Sequence, residues 1–145
     1  MFKIFATLKA LVFAAVMATS LQAQAVDDVI KVVYHLSEGI PQASRGLNNI
    51  RNHLAADPKA KIVVVTHGLG IDFLLDGATN QMEQPFSGAI GELAAKGVEF
   101  RVCNNTLVSR KIDPARVAME AKIVPSGVAE VARLQAREGF VYLRP

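Results

Sequence analysis

Three side chains in this 145-residue sequence combine a reactive type with a suggestive place: His35, His67 and Cys103. Each closes or directly follows a short apolar run. Cys103 is the only cysteine, so no disulfide forms within one chain. A single thiol serves as a small buried hydrophobe, or as a thiolate that attacks an electrophile or carries sulfur. Asn104, Asn105 and Thr106 follow it, and each can cap a helix or donate a hydrogen bond. A helix starting there favours the thiolate through its N-terminal dipole. Asn104 and Asn105 are therefore candidates to orient or stabilise sulfur. His67, followed by Gly68-Leu69-Gly70, is read as a base or a donor to sulfur, and is expected beside Cys103. His35 is read mainly as a packed side chain with one hydrogen bond and is kept as a binding candidate. His53 is expected to face solvent.

Other chemistries are poorly supported. His35, His67 and Cys103 could share a metal, but no CxxC, HxxxH or HExxH spacing backs this, and no metal or other cofactor is assigned. GxGxxG, Walker and GxSxG patterns are absent. Ser126-Gly127 at a helix start could bind an anion, although such a pair more often only caps.

The elements that must position these groups follow from periodicity. Residues 29–36, 61–66, 98–103, 121–124 and 140–143 are rich in β-branched or alternating apolar residues and read as strands. Ala43, Leu47, Ile50 and Leu54 repeat at helical spacing. Phe86, Ile90, Leu93 and Ala94 mark a second helix, and 104–111 a short helix or turn. Asp113-Pro114 reads as the opening of another helix. A last helix starts at Ser126-Gly127, with Val128, Val131 and Leu134 expected inward. Strands alternating with helices predict an α/β domain with a mostly parallel five-stranded sheet. Ligands of such sheets bind beyond the carboxyl ends of the strands, where His35, His67 and Cys103 fall. The strand order is not legible.

The chain's start has its own character. Lys3 and Lys9 precede the apolar run 10–18, and Ala23-Gln24-Ala25 is a small-x-small cleavage site. Residues 1–25 read as a signal peptide and 26–145 as the domain, exported to a periplasm or secreted. The apolar run falls short of the roughly 20 residues a spanning helix needs, so no membrane attachment is expected after cleavage. Two of the 16 basic residues lie in this leader, leaving 14 against 13 acidic ones, so the charge gives no case for nucleic acid.

Val63-Val-Val-Thr-His-Gly68, Gly97-Val-Glu-Phe-Arg-Val-Cys103, Val124-Pro-Ser-Gly-Val128 and Gly139-Phe-Val-Tyr-Leu-Arg-Pro145 together resemble the DsrE/DsrF-like family of small sulfur-relay proteins. The resemblance covers nearly all of residues 26–145. It implies a three-layer α/β/α fold, a homotrimer or homohexamer, and a cysteine in the place of Cys103 that holds sulfane sulfur as a persulfide. Its partners would be sulfur donor and acceptor proteins or small sulfur compounds. The resulting expectation is an exported sulfur carrier or sulfurtransferase with Cys103 and His67 at its centre and a partly accessible thiol. The alternative is a non-enzymatic oligomer that binds a small ligand or metal.

Overall fold

The computed structural model describes residues 29–145; the leader read over residues 1–25 lies outside the described residues. Five strands, β1 (Lys31–Leu36), β2 (Lys61–Thr66), β3 (Glu99–Cys103), β4 (Ala121–Val124) and β5 (Val141–Leu143), form one sheet in the order β4-β3-β2-β1-β5. Every pairing is parallel. Helices α1 (Ile40–Ala56), α2 (Phe86–Ala95), α3 (Asn104–Ser109) and α4 (Gly127–Glu138) complete it, with 3-10 turns at Gly68–Leu74 and Pro114–Arg116. Among the described residues no helix is long and apolar enough to cross a membrane.

Alternation along the strands divides the core in two. Val32, Tyr34, Leu36, Ile62, Val64, Phe100 and Val102 face α1, α2 and the Gly68–Leu74 turn. Phe73 sits at the centre of this layer, edge-on to Phe86 and Phe100 at 5.7 and 6.2 Å. Val33, Val63 and Val65 face the other way and meet only Val131 and Leu134 of α4, with Phe140. One face thus carries several helices and the other carries one, giving the three layers.

The local signals explain most boundaries. Pro41 opens α1 after Gly39, whose φ of 89° favours glycine. The buried amide of Gln42 holds the turn before α1: its Oε1 accepts from the Ser37 and Glu38 amides at 2.7 and 2.8 Å. Its Nε2 donates to the Pro145 carbonyl at 3.3 Å, tying the chain's last residue to the end of β1.

Three expectations need correction. Val128 is 61% exposed. In α4 the inward stripe is Gly127, Val131 and Leu134, at i, i+4 and i+7, which leaves Val128 about 100° away. Asp113-Pro114 opens only a three-residue 3-10 turn. Asp113 does cap it, accepting from the Ala115 amide at 2.9 Å, but no apolar periodicity follows, and Met119 is 93% exposed. His53 is half-buried rather than solvated, with Nδ1 3.0 Å from the Tyr34 hydroxyl.

Candidate functional site

The site lies where the sheet's connections part. After β3 the chain turns to α3, whose Leu107 joins the many-helix face; after β4 it turns to α4 on the opposite face. Neighbouring strands whose exits diverge leave a crevice between them. Cys103 ends β3, paired with Val124 of β4.

Register then decides which side chains meet. Thr66 pairs with Val102, so the next residues, His67 and Cys103, fall side by side. His35 pairs with Val65, two residues before His67, and with a side-chain period of two it shares that face. Gly127 of α4 sits directly over this spot. A Cβ added there would stand 3.2 Å from the Cβ atoms of both Cys103 and His67, and 3.0 Å from the Thr66 carbonyl oxygen. Only glycine lets the start of α4 come this close.

That approach matters electrostatically. Cys103 is the N-cap residue of α3, and its side chain makes no capping hydrogen bond. Burial by itself would push the thiol up. Against it, the nearby Gly127 amide, the Thr106 hydroxyl and the Thr106 and Asn105 amides lower it, and the balance holds Cys103 below its ordinary value. The Thr106 hydroxyl is aimed, because its oxygen accepts from the Gly68 amide at 3.0 Å and its proton is left for sulfur. The sulfur thus sits between the amino ends of two helices, whose first amides lack intrahelical partners.

The side chains of Asn104 and Asn105 make no hydrogen bond to the thiol, and the Asn105 amide donates to the Pro125 carbonyl at 3.3 Å. Cys103 is only 5% exposed, against the expectation of partial access, because the first turn of α4 lies over it.

His67 stands beside Cys103, but its ring turns to His35: the two Nε2 atoms are 2.7 Å apart. His35 has a second partner, the Tyr142 hydroxyl, 2.8 Å from Nδ1. Burial first, and then the charges of His67 and Arg144, lower the pKa of His35; burial and Arg144 lower that of His67. Both shifts favour the neutral ring. Among the described residues no group of three His, Cys, Asp or Glu side chains is placed to share a metal ion, so the His35-His67-Cys103 metal constellation is not assembled.

Against this geometry stand the comparisons. The DsrE/DsrF-like family profile matches residues 27–144. The chain belongs to the DsrE/DsrF-like family. Its fold is similar to that of a protein of unknown function, MTH1491 from Methanobacterium thermoautotrophicum, with 30% identity and a TM-score of 0.70 over 80% of this chain and 99% of that one. It is also similar in fold to the ychN protein from E. coli, with 12% identity and a TM-score of 0.68 over 81% and 100% of the two chains. No curated protein matches the chain.

The sequence reading missed Tyr142 and Arg144 as neighbours of the histidines and undervalued Gly127. A tyrosine in a closing strand is an ordinary β residue until β5 is known to lie against β1. The glycine bears on the thiol directly. Gly127→Ala should cost about 1–3 kcal/mol through crowding. By displacing an amide from the sulfur it should also raise the pH midpoint of Cys103 alkylation by iodoacetamide. An unshifted midpoint in the folded variant would show that the Gly127 amide does not hold the thiolate.

Proposed function

We propose that this DsrE/DsrF-like protein is an exported sulfur carrier that holds sulfane sulfur as a persulfide on Cys103. One observation carries the reading: Gly127 brings the start of α4 over Cys103 at the amino end of α3, where nearby amides and the Thr106 hydroxyl depress the thiol's pKa. Such donors stabilise a nucleophilic thiolate, and they stabilise it again as the leaving group when sulfur is passed on. They also suit an anionic cargo. Export rests on the leader read over residues 1–25. Family resemblance supports a trimer or hexamer and sulfur donors and acceptors as partners.

In the loading step the Cys103 thiolate attacks the terminal SH sulfur of hydrogen polysulfide. The adjacent S–S bond breaks, and its electron pair leaves with the polysulfide anion, one sulfur shorter. The enclosure of Cys103 favours a small donor of this kind, or a protein donor that displaces the Ser126-Gly127 turn. Exposure of the native protein to polysulfide should add mass in steps of one sulfur atom, and none to Cys103→Ser. Equal mass gain in both proteins, or none in either, would overturn the reading.

A further inference from the structure

The groups that lower the Cys103 pKa are three amides and a hydroxyl. The three amides cannot take a proton, and the Thr106 hydroxyl is committed between Gly68 and the sulfur. Yet sulfur transfer needs proton control. The outer sulfur of a persulfide anion repels an attacking thiolate, whereas the same sulfur protonated is an electrophile. Nothing in the donor cage sets that protonation state.

His67 is the titratable side chain placed to do so. Its Cβ and that of Cys103 lie equally close to the Gly127 position. Its Nε2 is engaged by His35, and Nδ1 has no hydrogen-bond partner among the described residues. The Nε2–Nε2 contact of 2.7 Å requires one proton between the rings. One tautomer set pairs both contacts and leaves a proton on the free nitrogen: Tyr142 O–H donates to His35 Nδ1, His35 Nε2–H donates to His67 Nε2, and His67 Nδ1 carries its proton free. Tyr142 is 36% exposed, so the chain reaches water. The charged groups around it are already paired: Arg144 with Glu38, Arg110 with Asp72, and Arg101 with Glu99 and Glu130.

We infer that Tyr142, His35 and His67 form a proton path from solvent to the sulfur held on Cys103, delivering a proton to the outer sulfur as it is handed on. The inference rests on the carrier reading. His67 Nδ1 gives its proton to the outer sulfur; His67 Nε2 takes the His35 Nε2 proton, and His35 Nδ1 takes the Tyr142 proton, which water restores. The nucleophile then attacks the outer sulfur. The S–S bond breaks, and its electron pair stays on Cys103 Sγ, beside the Gly127 amide and the Thr106 hydroxyl that favour the thiolate. Both rings end as the opposite tautomers, and ring or water exchange resets them. His35 and Tyr142 are positioning residues in this scheme.

The test is cyanolysis of polysulfide-loaded protein, with thiocyanate release measured per loaded sulfur from pH 6 to 9. Cyanide attacks the outer sulfur, leaves Cys103 as thiolate and departs as thiocyanate plus a proton. The ratio of variant to wild-type rate cancels cyanide's own ionisation. His35→Gln should be roughly tenfold slower and Tyr142→Phe several-fold slower, within what a positioned proton donor contributes. The deficit should grow as pH rises, because more of the persulfide is then anionic and its reaction depends on how fast a proton is delivered to it. A merely structural role would lower the rate equally at every pH. Loaded variants with profiles parallel to or coincident with wild type would overturn the path and leave the carrier reading standing. A wild type that takes up no sulfur would overturn both.

Discussion

Gly70→Ala is expected to lose more than about 4 kcal/mol of stability, and with it roughly 15 °C or more of Tm. A Cβ at this position would stand 2.1 Å from the Leu36 carbonyl oxygen, 2.4 Å from its carbon and 2.6 Å from the Ser37 nitrogen. All three atoms are backbone at the end of β1, so no side chain can swing aside. The 3-10 turn would have to lift from the sheet. Its Gly70 amide holds the His67 carbonyl at 2.9 Å, so the site would be disturbed along with the core. Gly88→Ala is the control. It lies in α2 with open space around it, and should stabilise by about 0.5–1 kcal/mol through helix propensity. Thermal melts of both variants decide the matter; a Gly70→Ala protein that melts with wild type would mean that the turn does not pack as described.

Glu130→Gln should produce the second large effect, and a pH-dependent one. Glu130 is 11% exposed on the inner side of α4. It accepts from Arg133 at 2.8 Å and from Arg101, itself 13% exposed and rooted in β3. The Arg133 hydrogen bond most of all, with Arg101 behind it and burial opposing, holds the Glu130 carboxyl at about 2, from an ordinary 4.5. A depressed carboxylate stabilises the fold above its unfolded value and loses that contribution as the pH falls toward the folded value. The shift corresponds to about 3 kcal/mol. Arg133 is 40% exposed and screened by water, which reduces the figure to about 2 kcal/mol. Urea midpoints should therefore show wild type ahead of Glu130→Gln by that amount at pH 7, with the gap closing between pH 4.5 and 2. A gap that is constant with pH would show that Glu130 contributes by packing alone.

The sequence by itself determined the strands and most of the helices, and singled out Cys103. Period-two alternation in Val98–Cys103 and period-3.6 spacing in Ala43, Leu47, Ile50 and Leu54 are local properties, and local geometry follows from them. Pro41, Gly97 and Gly139 punctuate those segments by restricting or freeing φ, which also acts within a few residues. Cys103 drew attention because a strand end followed by capping residues is visible in six consecutive positions. Only the tertiary structure decided what surrounds it. Strand order put β5 against β1 and so gave His35 its Tyr142 partner, 107 residues away in sequence. Register put His67 level with Cys103, and a slip of one residue would have sent its ring to the opposite face. The crossing of α4 turned Gly127 from an ordinary residue after a helix cap into the one that admits an amide to the sulfur. Hydrogen bonds, exclusion of water and close approach act over a few ångströms in space. A linear pattern encodes them only through the packing of the whole chain.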